Sequence, residues 1–292
     1  PLRAADLKLT MKGRAAERPL TLNIAGVLAI QEASQSFRLA KGDGAFAGAA
    51  FAIARGLEVS QGKKGFAVRG LDLQSEPLSL RADASVASGR IDLDLKQADV
   101  DLRRLAQLMP DTPVAGTIFA SGRISGPLQG PSGRLTLTAR GISALNEPGS
   151  PSIDVDGNFN LSPSALALDI SGTGLGATPI TIQGSVGLVQ GDGLPAPGPQ
   201  SRLALRIQWT GDVAPLMAMA PVDGHILKGA TAIDLSIGGT VAAPDVQGAV
   251  RLGPGTYESL DYGTKLEFAT IEVLANGPNL TLSPFKARAG KG

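Results

Sequence analysis

Apolar and polar residues alternate at a period of two along almost the whole of this 292-residue chain, and no other feature restricts its fold so tightly. Successive side chains of a β-strand point to opposite faces, so this period marks strands with one dry and one wet face. Leu7, Leu9 and Met11 alternate with Lys8, Thr10 and Lys12. Leu20, Leu22 and Ile24 alternate with Thr21 and Asn23, and Ile91, Leu93 and Leu95 with Asp92, Asp94 and Lys96. Ile153, Val155, Phe159 and Leu161 hold one phase through Gly157. Leu166, Leu168 and Ile170, then Ile180, Ile182, Val186 and Leu188, then Leu203, Leu205, Ile207 and Trp209, then Ile233, Leu235 and Ile237 read the same way.

Clusters of Gly, Pro, Asn, Asp and Ser separate these runs, as in 146–151 and 191–199, and form turns or surface loops. Parallel sheets need helical crossovers, which are mostly missing, so the strands join as antiparallel meanders. The spacing predicts about 18 to 22 strands. Two segments have helical spacing: 100–109, with Leu102, Leu105, Leu108 and Met109 before Pro110, and 213–220, with Leu216, Met217 and Met219 before Pro221. The second carries Pro215 in its first turn.

The two helices head an internal repeat. Gly116, Gly126 and Pro131 recur as Gly229, Gly239 and Pro244, each 113 residues on. A repeated helix and meander implies units stacked along one axis. The division expected is 1–98 as a β-groove segment, 99–211 as a repeat unit, and 212–292 as a second repeat unit truncated at its C-terminus. With roughly 4.8 Å per strand, the expected body is an elongated sheet on the order of 100 Å long. The first residues, Pro1-Leu2-Arg3, match neither a signal peptide nor an initiator methionine, and the last residues run on without a terminating element. A piece of a longer chain is therefore expected, with any membrane anchor outside it.

Catalysis needs convergent polar groups, and few are offered. His225 is the single histidine, set beside Gly224 in what reads as a loop, and it has no second His for zinc. No Ser-His-Asp arrangement has spacing support. Asp92 and Asp94 fall on the wet face of their strand, while Asp99 and Asp101 precede the first helix, Asp101 where an N-cap belongs. The run Gly172-Thr173-Gly174-Leu175-Gly176 lacks the following helix that a dinucleotide loop needs and reads as a hairpin. There are no cysteines, so no disulfides and no thiolate sites. Lys+Arg 27 against Asp+Glu 26 gives no field to hold nucleic acid. The chain is expected to be no enzyme, with no catalytic residues, no metal and no cofactor.

What remains is the large apolar face. Two short helices cannot cover it, so the sheet either packs on itself as a sandwich or curls around an apolar groove. Aromatic residues make up only 4% of the chain, and aliphatic linings without bulky filler suit acyl chains. The groove reading assigns the lining to Leu20, Leu22, Ile24, Ile91, Leu93, Leu95, Ile153, Val155, Ile180, Ile182, Leu203, Leu205, Ile207, Ile233, Leu235 and Ile237. The alternative is that these side chains form an ordinary packed core.

The segment Ala232-Ile233-Asp234-Leu235-Ser236-Ile237-Gly238-Gly239-Thr240-Val241, then Pro244-Asp245-Val246-Gln247-Gly248, then Gly255-Thr256-Tyr257 with Tyr262-Gly263, resembles the C-terminal repeat region of the TamB family. Leu280-Thr281-Leu282 and the closing Ala289-Gly290-Lys291-Gly292 belong to the same likeness. Gly122-Arg123-Ile124-Ser125-Gly126-Pro127-Leu128 with Pro131-Ser132-Gly133 is similar to the related AsmA-like repeats, while the first third of the chain matches only in its alternation. The resemblance implies an all-β, taco-like curled antiparallel sheet with an apolar concave face, of the bridge-like lipid transfer group. It implies a periplasmic protein of diderm bacteria, anchored in the inner membrane and reaching an Omp85-class outer-membrane barrel (TamA-like) through parts of the parent outside this stretch. Its cargo would be phospholipid acyl chains. Rival expectations are an envelope scaffold, or a chaperone-like module that offers strand edges to folding outer-membrane proteins.

Overall fold

The structure, a computed structural model, describes residues 3–15, 17–63, 65–108, 113–145, 150–191, 193–219, 224–284 and 286–290. The protein is all-β: among the described residues, twenty strands join in one antiparallel sheet, with two short helices. The chain divides into two compact units, Pro1–Thr138 with Leu161–Pro163, and Ala139–Asn160 with Ser164–Gly292.

In the first unit the strands are β1 (Arg3–Ala15), β2 (Arg18–Gln31), β3 (Ser34–Phe46), β4 (Ala49–Ile53), β5 (Glu58–Gly62), β6 (Gly65–Ser75), β7 (Leu78–Ala87), β8 (Arg90–Asp101) and, after helix α1 (Leu102–Leu108), β9 (Val114–Pro127). The boundary between units falls within β10 (Ser132–Ala144). The second unit continues with β11 (Ile153–Leu161), β12 (Ala165–Thr173), β13 (Ile180–Gly187), β14 (Leu203–Asp212), α2 (Ala214–Met219), β15 (His225–Gly239), β16 (Pro244–Ser259), β17 (Thr264–Phe268), β18 (Ile271–Asn276), β19 (Asn279–Leu282) and β20 (Ala287–Ala289).

Strands pair with near neighbours in sequence. β3 hydrogen-bonds both β4 and β5, which then share β6, and β16 likewise holds β17 beside one stretch and β18 beside another. β1 pairs with β2 and is exposed along its whole length.

Three bulges keep the dry face continuous in the first unit. A single extra residue flips the phase of all that follows in a strand, unless the ladder absorbs it. In β3 the apolar row passes from Leu39 to Gly42, in β6 from Val68 to Leu71, and in β8 from Leu95 to Ala98. Asp83 of β7 sits on the wet face between two of these bulges. Its carboxylate accepts the Gly70 backbone N–H at 2.5 Å and the Lys96 ammonium at 2.5 Å. These donors, Lys96 first and Gly70 second, hold the Asp83 carboxyl below the usual carboxylate range.

Elsewhere the wet face carries cross-strand pairs: Arg38 with Glu58, Arg81 with Asp72, Arg140 with Asp156, Arg206 with Asp234, and Arg251 with Glu272. Such exposed pairs fix register more than they add stability.

Both helices are short and start on an aspartate. Asp101 Oδ1 accepts the Arg104 N–H at 3.1 Å, and Asp212 Oδ1 accepts the Ala214 N–H at 2.8 Å. Helix α1 begins two residues later than the spacing predicts, because β8 runs on to Asp101. Met109, Pro110, Ala220 and Pro221, expected at the helix ends, lie outside the described residues. No helix among the described residues is long and apolar enough to cross a membrane.

Candidate functional site: apolar rows in each unit

Directly paired residues of an antiparallel ladder share a face, so the registers show which apolar side chains lie together. In the second unit Ile170 faces Ile182, Ile182 faces Ile207, Ile207 faces Leu235, Leu205 faces Ile237, and Ile233 faces Val250, which in turn faces Val273. The row thus crosses β12, β13, β14, β15, β16 and β18 without a polar interruption. In the first unit Leu20, Leu22 and Ile24 oppose Phe46, Gly44 and Gly42, and the row continues to Ala49, Phe51 and Ile53. There Leu93 faces Ala84 and Ile124, and Leu95 faces Ala82 and Gly122.

Every residue assigned to the lining from sequence is half-buried, except Ile153, which is 8% exposed. Leu20, Leu22, Ile24, Ile91, Leu93 and Leu95 lie in the first unit; Ile153, Val155, Ile180, Ile182, Leu203, Leu205, Ile207, Ile233, Leu235 and Ile237 lie in the second. Two compact globules of half this mass each would together expose about 14,000 Å². This 29.7 kDa chain exposes 17766 Å². The chain is thus more exposed than two compact bodies of its mass would be.

Part of the face is nevertheless closed. Trp209 is 2% exposed and packs with Ile153 and Leu175, and Val155, Ile180, Ile233 and Leu216 of α2 pack around them. Leu175 comes from the glycine-rich β12–β13 loop, which is the hairpin its sequence predicts. That a loop leucine would turn inward has no signal in alternation, because it belongs to no strand.

The aromatic residues are placed economically. A Cβ added at Gly26 would meet the Phe37 ring at 2.7 Å, at Gly44 the Phe51 ring at 2.5 Å, at Gly157 the Phe159 ring at 3.0 Å, and at Gly211 the Trp209 indole at 2.4 Å. Each ring lies across a glycine, which lets the sheet bury aromatic surface without a covering layer. The high glycine content, 38 residues, thus has a packing role beyond turns.

Beside α1, in the first unit, is a cavity of about 410 Å³ lined by Phe46, Ala49, Phe51, Leu73, Leu105 and Leu108, with Ser75, Pro77 and Leu78 at the β6–β7 turn. Nothing in the strand alternation marks it. Its only signal is the apolar stripe of α1, which needed something to lie against.

The polar candidates are occupied structurally. Arg123 grips Asp92 through Nε at 3.2 Å and Nη2 at 2.9 Å, Asp94 stands opposite Arg123 in the ladder, and Asp99 accepts from Ser79 and Gln97. His225 differs from its reading as a loop residue. It begins β15, is half-buried, and its Nδ1 lies 2.7 Å from the Tyr257 hydroxyl, with the two rings stacked. The register brings Tyr257 opposite Leu227, two residues along, a partnership invisible before the strands are paired. Comparison with models of protein families, with curated proteins and with solved structures finds no match to this chain.

Proposed function

We propose that this chain is a non-enzymatic lipid-conduit module, a TamB-like piece that carries phospholipid acyl chains along its apolar face in the periplasm, between inner and outer membrane. The observation that carries the reading is the uninterrupted aliphatic row of the second unit, half-buried and register-matched from β12 to β18. Each methylene exposed to water costs about 0.8 kcal/mol, so a diacyl lipid crossing water meets a barrier on the order of 20 kcal/mol. A greasy surface that needs no rearrangement removes most of it. The chemistry is collective: no side chain forms or breaks a bond, and the ion-paired face stays toward water. Contact with an Omp85-class, TamA-like barrel belongs in this proposal to parts of the parent outside this stretch.

Native mass spectrometry of the purified chain tests the reading. Wild type is expected to carry phospholipid, and Leu205→Asp or Leu235→Asp to lose it while keeping the wild-type circular dichroism. A lipid-free wild type, or variants that unfold outright, would count for a packed core instead.

A second reading is favoured by β1. All thirteen residues of this strand are exposed and it is bonded to β2 alone in the register described, so it offers an edge to an added strand. A chaperone-like module would bind unfolded outer-membrane strands there, and a proline at Thr10, which pairs with Asn23 on the wet face, would abolish that binding while leaving the apolar side chains in place.

A further inference from the structure

We infer that the cavity beside α1 is a seat for the end of a single acyl chain, a discrete binding site rather than a stretch of open conduit. The inference rests on the lipid reading above and goes further in naming where a chain stops.

The two helix-bearing repeats make the case. In the second unit Leu216 of α2 packs against the buried cluster of Ile153, Leu175 and Trp209. Trp209 stands three residues before Asp212, which caps α2. Three residues before Asp101, which caps α1, stands Ala98, on the apolar face opposite Leu80. The first unit therefore has a methyl where the second has an indole, and the 410 Å³ cavity beside its helix is lined by residues other than Ala98. That volume falls in the range of small-molecule pockets, roughly 300 to 1,000 Å³.

The lining decides the ligand class. Six of the residues that form it, Phe46, Ala49, Phe51, Leu73, Leu105 and Leu108, offer only carbon. The hydroxyl of Ser75 is already committed: it donates to the Leu78 carbonyl at 2.9 Å and accepts the Leu78 N–H at 3.2 Å. A ligand bearing a hydrogen-bonding group would leave that group unpaired inside, at a cost that exceeds its apolar gain. A saturated hydrocarbon tail pays no such cost. Phe46 pairs directly with Leu20, so the cavity opens from the same face that holds the conduit lining of this unit.

Photolabelling of the whole chain with a long-chain fatty acid bearing a terminal diazirine tests this. Label is expected on the peptides carrying Phe51 and Leu105. Ala49→Phe, which fills part of the cavity, and Leu105→Glu, which changes only the helix, are each expected to lower that label at least about tenfold, the worth of some two of the methylenes the cavity would seat. Labelling of the second unit should stay unchanged in both variants. Label spread evenly over both units, or confined to the second, would overturn this seat while leaving the conduit reading intact. Label on neither unit would overturn both. Should Ala49→Phe misfold, Leu105→Glu decides alone, since the helix lies outside the ladders.

Discussion

Replacing Trp209 with alanine and with phenylalanine should give two very different costs. The indole is 2% exposed, packs with Ile153 and Leu175, and folds over Gly211. A buried tryptophan removes roughly 150 to 250 Å² from water, worth about 4 to 6 kcal/mol at ~25 cal/mol per Å². Trp209→Ala is therefore expected to cost about 3 to 5 kcal/mol, since the surroundings close only partly on the void. The indole Nε1 is buried without a hydrogen-bond partner among the described residues. An unpaired buried donor costs about 1 to 3 kcal/mol. Trp209→Phe removes that donor while giving up one ring, and the two changes nearly cancel, leaving a net effect within about 1 kcal/mol. Urea unfolding followed by far-ultraviolet circular dichroism measures both, and wild-type fluorescence reports this cluster alone because the chain has a single tryptophan. Equal losses for the two variants would refute the unpaired-donor argument. A loss below about 1 kcal/mol for alanine would show that the cluster is not packed.

Three further outcomes are expected. Gly44→Ala places a Cβ 2.2 Å from the Thr21 carbonyl oxygen and 2.5 Å from the Phe51 ring, so it should cost about 2 kcal/mol or more in thermal or urea unfolding. Because folding lowers the Asp83 pKa, the stability it contributes is fully present above the ordinary carboxylate range and is lost as pH falls through the lowered value. Asp83→Asn should accordingly flatten the acid limb of a stability-against-pH curve, and an unchanged limb would disprove the role given to that carboxylate. Arg206→Ala, which removes an exposed cross-strand pair with Asp234, should leave the melting temperature within experimental error of wild type.

The strand architecture was legible because alternation is a local signal: Ile180–Ile182, Leu203–Ile207 and Ile233–Ile237 lie on one face in the ladder as their phases predict. Asp101 as a helix cap was legible for the same reason, since capping acts over three residues. What pairing alone reveals was not. The extra residues near Gly70 and Lys96 look in sequence like breaks in the pattern, whereas the ladder makes them bulges that preserve it. Rings over glycines such as Phe37 over Gly26 join residues on two strands, and Leu175 and Leu216 join the cluster around Trp209 from a loop and a helix. These are encounters across the fold, and a one-dimensional period carries no information about them.

The habit of bonding only to strands nearby in sequence has a consequence for how such a chain changes over generations. A hairpin such as β12 with β13 adds or removes two strands, and the flanking edges can rejoin, because no distant partner depends on either. Strand number can then change by whole hairpins, while the alternation of apolar and polar residues within each remaining strand stays the same.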